Sequence, residues 1–523
     1  MSTFFIQQFG CRATQADGAA LERQLLDRGC TPASDPSNAT VVVLNTCTVT
    51  ASADAQARDA IRKLHAQNPA AQLIVTGCYA QRAPEELAQL PGVSWVVGNS
   101  HKPQIPDLIA PSLVGAQHAA PLPPQLPPPR DSVFLPITQL IGTPFAPAQI
   151  PDAPLAPPLH AQILIGDINQ LTTVLVAPIQ GGESHHTRPT LKIQDGCNNR
   201  CSFCVIPFVR GKSRSLPPET VIQEIRRLTV EQALSPVSSA ANGALQPVSS
   251  STSLTSSTSS ASSISHAREI VLSGINLGTY GRDLTPRFDF EDLLRRILVE
   301  TPIERLRISS IEPQDVTRDL IELFASTDRL AEHFHMPLQS ASDRILAAMH
   351  RWYRSEHYAR RVHLIHDRLP HAAIGADVIT GFPGESDSDH AATLAFIEAL
   401  PFTYLHVFSY SPRPTTKAAA LPNQVPSHII KQRACQLRSL SEAKSSAFRQ
   451  SQQGRTLRVL TLNRRESPQT DHPATAQADT LSGPAYTPAL SSNYLRVQVP
   501  GIHSSNQWQD VVVTTEEGNY LIA

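Results

Sequence analysis

Three times in the first part of the chain an apolar run ends on a cysteine: FGC at Cys11, LNTC at Cys47 and VTGC at Cys78. Runs at 3–8, 40–45, 72–76 and 94–97 have the character of buried strands, and segments 17–27, 51–66 and 85–90 have helical spacing. This βαβα alternation predicts a doubly wound parallel sheet. In such a sheet the carboxyl ends of the strands share one edge, where open α/β sheets bind ligands. Cys11, Cys47 and Cys78 are therefore expected to converge there. Converging thiols suit an iron–sulfur cluster; three buried packing cysteines are the plainer alternative.

A second group is local. GCNNRCSFC places Cys197, Cys201 and Cys204 in a C-x3-C-x2-C loop just after a candidate strand. Thiolates are soft ligands, and three close ones can each hold one iron of a four-iron cube. The fourth iron is then open to a chelating substrate, and an electron passed to that substrate starts radical chemistry. A zinc site lacking its fourth ligand would use the same residues. The segments downstream of the loop favour the cluster. Candidate strands at 190–194, 269–273, 305–310, 332–338, 372–379 and 402–408 alternate with helices such as 219–230, 288–299, 315–326, 342–350 and 387–399. Six βα units predict a partial barrel, with its chemistry at the carboxyl ends of the strands.

The chain of 523 residues is long enough for several domains. The pattern divides it into an N-terminal domain at 1–111, a linker at 112–188, the partial barrel at 189–425, a helical connector at 426–453 and a small β-barrel at 454–523. The linker is rich in proline, although 161–178 could form strands. A Ser-rich insert at 234–266 falls in a helix-to-strand loop, remote from the expected active face. Short runs at 457–462, 494–499 and 508–514 support the small barrel. Net charge is −1, so RNA binding would rest on local patches, first among them the run Arg200, Arg210, Lys212 and Arg214. Eight cysteines are too sparse for a disulfide scaffold, and Cys30 and Cys435 read as packing. Met1–Gly10 has no signal-peptide pattern, and no apolar stretch approaches the roughly 20 residues of a membrane helix. A soluble cytoplasmic protein is expected.

C-x3-C-x2-C with an aromatic before its last cysteine resembles the signature of radical S-adenosylmethionine enzymes. Two three-cysteine groups on adjoining domains narrow the resemblance to the methylthiotransferases. FGCRATQADG, LNTCTVTASAD, TGCYAQR and VVGN carry it in the first domain. LKIQDGCNNRCSFCVIPFVRGKSRS, IVLSGINLGTYG, RISSIEP, HMPLQSASDRILAAMHR, ADVITGFPGE and HVFSYSPRP carry it in the barrel. The tail resembles the RNA-binding TRAM domain of that family. The resemblance implies two [4Fe-4S] clusters, one on each cysteine group, with S-adenosylmethionine bound at the Cys197/Cys201/Cys204 cluster. It also implies a tRNA anticodon stem-loop as substrate and an electron donor that the sequence leaves unidentified. Phe203 would lie near the adenine of S-adenosylmethionine. Gly274, Glu312, Gln339 and Asp377, each ending a barrel strand, would line its pocket; each also suits a turn or a structural hydrogen bond. The implied reaction joins a methylthio group to carbon 2 of an adenine.

IQDGCNNRCSFC, RGKSRS and SSIEP look most like the type acting on threonylcarbamoyladenosine just 3′ of the anticodon. The types acting on isopentenyladenosine or on a ribosomal protein are the alternatives, and a non-catalytic iron–sulfur RNA-binding redox sensor is the alternative of another class. Three departures stand out. Thr14 replaces an asparagine usual in the family, Thr415-Thr416 follows PRP in place of Gly-Thr, and the tail is not basic. The last shifts the expected RNA contact toward the barrel's arginine run.

Overall fold

The computed structural model describes residues 2–109, 161–175, 187–230, 266–463 and 486–523. Residues 234–265 of the Ser-rich insert, most of the proline-rich segment, and the tail residues Arg464, Arg465, Glu466, Asp471 and Asp479 lie outside them.

The first unit is a parallel sheet. Strands β1 (Thr3–Gln8), β2 (Thr31–Pro32), β3 (Val41–Thr46), β4 (Gln72–Gly77), β5 (Val93–Gly98) and β6 (Gln162–Leu164) run in the order β2-β1-β3-β4-β5-β6, all parallel. All six residues of β3 are buried, as a strand covered by helices on both faces requires. Its alternate residues divide between two cores: Val42 and Leu44 meet Ile61 and Leu64, while Val41 and Val43 meet Leu21 and Leu25. β6 comes from the stretch 161–178, so part of the proline-rich segment completes this sheet. The strand order reverses about β1, between β2 and β3, so the carboxyl ends of β1, β3 and β4 stand side by side.

The second unit is the partial barrel. β7 (Thr190–Lys192) is followed by the short antiparallel pair β8 (Gln194–Asp195) and β9 (Arg214–Ser215), then by β10 (Glu269–Ser273), β11 (Arg305–Ile308), β12 (His333–His335), β13 (Ala373–Thr380) and β14 (Tyr404–Ser409). β7, β10 and β11 form one parallel group and β12, β13 and β14 another. Parallel bridges Leu306–Leu330 and Ser310–His335 join the groups into six strands in chain order. A shell of helices packs around them through Val221, Ile225, Leu293, Ile297, Leu320 and Phe324. Residues 355–368 form a further helix that the sequence pattern did not single out.

The helix Ser427–Gln450 leads to the tail. There β15 (Thr456–Thr461), β16 (Tyr486–Ser491), β17 (Arg496–Pro500), β18 (Trp508–Val512), β19 (Thr515–Glu517) and β20 (Tyr520–Ile522) form one mixed sheet, ordered β18-β15-β16-β17-β20-β19. The expected small barrel is thus a six-stranded sheet among the described residues. It covers the amino ends of the barrel strands. Arg305 Nη2 donates to the Leu490 carbonyl at 3.0 Å, and Arg307 donates to the carbonyls of Ser491 at 3.0 Å and Ser492 at 2.9 Å. Both arginines also pair with Glu269, which is fully buried. No helix among the described residues is long and apolar enough to cross a membrane.

Burial alone would push the Glu269 carboxyl up; the charges of Arg305, Arg307 and Arg188 outweigh it and hold it well below its ordinary value. Its contribution to stability is therefore complete above the ordinary glutamate range and is lost as pH falls through the depressed value. Replacing Glu269→Gln should cost about 3–5 kcal/mol at neutral pH, because two buried guanidiniums lose their counter-charge. Urea titrations followed by tryptophan fluorescence, at neutral and at acidic pH, should show that difference shrinking as pH falls.

Candidate active site between two cysteine triads

Gly10, at a φ of 114°, turns the chain between β1 and Cys11. A Cβ at that position would lie 2.5 Å from the Cys47 Cβ, so a side chain there would push the first two loops apart. Cys47 follows β3, and Cys78 opens the short helix after β4. Burial and the neighbouring charges of Cys78 and Cys11 push the Cys47 thiol up to about 12. The three thiols are thus electrostatic neighbours, as the strand positions require.

Cys197, Cys201 and Cys204 lie on the loop after β8. Gly196, at a φ of 75°, lets that loop hug the backbone: a Cβ there would meet the Lys212 carbonyl oxygen at 2.0 Å. The Cys197 N–H donates to the Gly211 carbonyl at 3.0 Å, and Ser202 is pinned to the carbonyls of Met349 and Ala348 at 3.0 and 2.8 Å. Burial, then the charge of Cys201, pushes the Cys204 thiol up to about 12. Buried neighbouring thiols of this kind are poor anions by themselves and good ligands once a cation joins them.

Arg351 orients this loop. Its Nη1 donates to Cys201 Sγ at 3.3 Å, its Nη2 pairs with Glu312, and its guanidinium lies 4.9 Å from the Tyr353 ring centre. Glu312 therefore answers to Arg351; burial nevertheless raises its carboxyl. Asn276, in the LSGINLG loop, has its Nδ2 4.0 Å from Cys197 Sγ and a buried Oδ1 that lacks a partner. Its N–H donates to Gln194 Oε1, against which Gly274 packs so closely that a Cβ would lie 3.0 Å from the same oxygen. Gln339 takes a φ of 63°, and its N–H donates to the Asp377 carbonyl at 2.8 Å. Phe203 is half-buried against the cluster of Ile345, Met349 and Phe382. Asp377 accepts from His335 Nε2 at 2.8 Å and lies 3.3 Å from His406 Nδ1. The three ligating atoms fall within 4.8 Å of one another, a closeness that these hydrogen bonds explain without a metal.

The two triads are brought together by a buried ion network. Asp17, on the helix Arg12–Asp27, meets Lys102 at 2.8 Å and Arg210 at 3.1 Å and pairs with Lys192. Arg210 also clasps both oxygens of Asp195, at 2.9 and 3.0 Å. Burial pushes the Asp17 and Asp195 carboxyls up, but these cations hold both well below the ordinary range. Arg210 and Arg214 are thus 2% and 6% exposed, which corrects their expected role as phosphate contacts. Arg200 and Lys212 remain exposed and, with Phe208, line an open groove of about 490 Å³ beside the Cys197 loop. Thr14, in the place of the family's asparagine, accepts from Arg210 Nη2 at 3.4 Å and lies 3.7 Å from Cys11 Sγ. Lys102, Lys192, Arg210 and Arg214 outnumber Asp17 and Asp195, and the fields of Cys78 and Cys11 act on Arg210. A four-iron cluster held by three thiolates is a net anion and would offset part of that surplus, so the residues at the first triad fit an iron–sulfur cluster.

Val209 and Ile206, just after the second triad, pack on Cys78, and Asn99 Nδ2 links Cys78 Sγ at 3.6 Å to the Val209 carbonyl at 2.8 Å. The sheet also spans the open side of the barrel. Asp17 reaches Lys192 in β7, at one edge, while Asp54 and the Thr48 carbonyl receive Arg413, just past β14 at the other. Arg351, His335, His406 and the buried state of Arg210 escaped the sequence pattern, although HMPLQ, MHR and LHVF contain the first three. Cys30 packs beneath β1 as expected; Cys435 is exposed, which corrects its reading as packing.

The comparisons with known proteins agree with this geometry. Residues 3–98 match the uncharacterized protein family UPF0004, and residues 264–397 match the radical SAM superfamily. The threonylcarbamoyladenosine tRNA methylthiotransferase MtaB of Aquifex aeolicus is 32% identical over 87% of this chain and 92% of its own. The chain belongs to the radical SAM tRNA methylthiotransferases. A second relative, the tRNA-2-methylthio-N(6)-dimethylallyladenosine synthase of Syntrophobacter fumaroxidans, is 31% identical over 83% of this chain and 79% of its own. The radical S-adenosylmethionine methyltransferase TsrM of Kitasatospora setae shares the fold at a TM-score of 0.51 and 15% identity, over 80% of this chain and 77% of its own. As a member of its family this methylthiotransferase uses [4Fe-4S] clusters and S-adenosylmethionine.

Replacing Arg351→Met should remove the hydrogen bond that orients Cys201 and lower the affinity of its triad for iron about 10- to 100-fold. Iron retention of the reconstituted protein against a chelator measures this. Retention equal to the parent would show that Cys201 needs no orienting partner.

Proposed function

We propose that this methylthiotransferase converts N6-threonylcarbamoyladenosine, beside the tRNA anticodon, to its 2-methylthio derivative in the cytoplasm. The observation that carries the reading is the pair of cysteine triads held on facing loops by the network around Arg210. Two cluster sites that must act on one base have to meet over it. Cys197, Cys201 and Cys204 would hold the cluster that binds S-adenosylmethionine, and Cys11, Cys47 and Cys78 the other. With S-adenosylmethionine bound, these groups supply radical chemistry able to break the unactivated C–H bond at carbon 2 of an adenine and to replace it with sulfur.

The chain's own residues position and protect. Arg351 orients Cys201 and holds Glu312 at the pocket wall. Gly274 lets the backbone pack on Gln194 where a side chain would obstruct it, and the Gln339 N–H ties its loop to the Asp377 carbonyl. Val209 and Ile206 exclude water from Cys78. Arg200, Lys212 and Phe208 give the stem-loop two exposed cations and an apolar face beside the active loop. The choice of threonylcarbamoyladenosine over isopentenyladenosine or a ribosomal protein rests on IQDGCNNRCSFC, RGKSRS and SSIEP. A non-catalytic redox sensor would have no use for a pocket built beside an open cluster site.

Nucleoside mass spectrometry of tRNA from cells with and without the gene should show loss of 2-methylthio-threonylcarbamoyladenosine alone. Cys201→Ala should reproduce that loss while RNA binding persists. An unchanged nucleoside would redirect the search to isopentenyladenosine derivatives and ribosomal proteins.

A further inference from the structure

The lumen of the partial barrel holds a polar chain that meets the expected S-adenosylmethionine pocket only at Asp377. His333 Nε2 lies 2.7 Å from the Tyr404 hydroxyl, which lies 2.9 Å from His335 Nδ1. His335 Nε2 continues to Asp377, and Asp377 meets His406. The proton order can be assigned. Asp377 is held well below its ordinary value: burial raises it, and hydrogen bonds from His335 and His406 outweigh that. A carboxylate accepts only, so His335 presents Nε2–H and His406 presents Nδ1–H. Burial, and then the charge of Arg307, lowers His333 well below its ordinary value, so its imidazole is neutral. Its buried Nδ1 has no partner; a bare lone pair there is cheaper than an orphaned N–H. His333 therefore donates through Nε2 to Tyr404, and Tyr404 donates to His335. The result is a His406 ring held by Asp377 at Nδ1, with its side chain 55% exposed.

A second polar group enters from the other domain. Arg12 directly follows Cys11 and is half-buried, yet it has no hydrogen bond or ion pair among the described residues. Its position is visible in its effect. Burial pushes the Tyr494 phenol up, and the charges of Arg12, Arg188, Arg307 and Arg496 bring it below its ordinary value. The same Arg12 charge acts on Tyr404 and His333. Tyr494 stacks on His333 at 4.4 Å between ring centres, and Tyr404 lies 5.3 Å from His406. The Arg12 charge is thus felt at the tyrosine ring against which His406 packs. Phe408, two residues beyond His406 on the same face of β14, adds an exposed apolar wall.

We infer that Arg12 and His406 form the subsite for the carboxylate of the N6-threonylcarbamoyl group, and so select this substrate over a prenylated adenosine. A guanidinium without a partner among the described residues and a fixed imidazole match an anionic oxygen group. A prenyl group would leave both without a partner, the situation in which discrimination is strongest. The inference rests on the target proposed above. The other anion on the same RNA is a backbone phosphate, which every stem-loop carries.

The test measures binding of the reconstituted protein to anticodon stem-loops that differ only at N6: threonylcarbamoyl, its methyl ester and isopentenyl. The parent protein should prefer the free carboxylate. Arg12→Gln and His406→Phe should each reduce that preference about tenfold to a hundredfold. His406→Gln, which keeps a donor at the same place, should restore part of it. A preference that survives both substitutions overturns the subsite. Equal weakening on all three stem-loops also overturns it, since that is the mark of phosphate contact. A parent protein that favours the isopentenyl stem-loop refutes the target itself, which the parent's result alone reveals.

Discussion

Asp17 is the point on which the two catalytic halves turn. A carboxylate on the first helix, fully buried, takes a lysine from its own domain and a lysine and an arginine from the barrel. Removing any one partner would leave a charge in a low-dielectric interior, which is far costlier than a surface mismatch. The arrangement therefore holds the domains in one register rather than in a range of nearby ones. Radical chemistry makes that register matter, because a reactive carbon must find its sulfur before it finds anything else. The same interface carries the Cys78–Asn99–Val209 links, so the relation between the triads rests on charge and on packing together.

The tail illustrates the opposite use of charge. Arg305 and Arg307 stand at the amino end of β11, where a barrel would otherwise expose its floor. They direct their donors to Glu269 and to the tail carbonyls of Arg458, Leu490, Ser491 and Ser492. Tyr494, from the same sheet, then inserts against His333 and closes the lumen from below. A domain engaged this way plugs the floor of the barrel.

Legibility in the sequence depended on range. Strand–cysteine junctions and C-x3-C-x2-C are local patterns, and the ends of β1, β3 and β4 stand where those patterns imply. Pairings across hundreds of residues left no local trace. Arg210 looked like one of four surface cations, and only the fold reveals that Asp17 and Asp195 enclose it while Arg200 and Lys212 stay outside. The helix 355–368 was overlooked because its sequence, SEHYARRVHLIHDR, is dominated by polar residues. Only Tyr358, Val362 and Ile365 of it are buried, which is too thin a stripe to stand out. His406 sits in a strand whose exposed positions include apolar Phe408, so alternation could not mark its face as a lumen.

The incompleteness of the barrel explains why these features occur together. Eight strands would close on themselves and fill the centre with side chains of their own. Six leave a side open between β7 and β14, and the N-terminal sheet occupies it, bound at both edges. Through that opening the charge of Arg12, one residue beyond a candidate cluster ligand, acts on Tyr404 and Tyr494 in the lumen. A substrate held there would touch both domains at once. Arg12 would then read the substrate beside Cys11 while His406 reads it from β14, so recognition of the base and alignment of the chemistry would depend on one docking geometry.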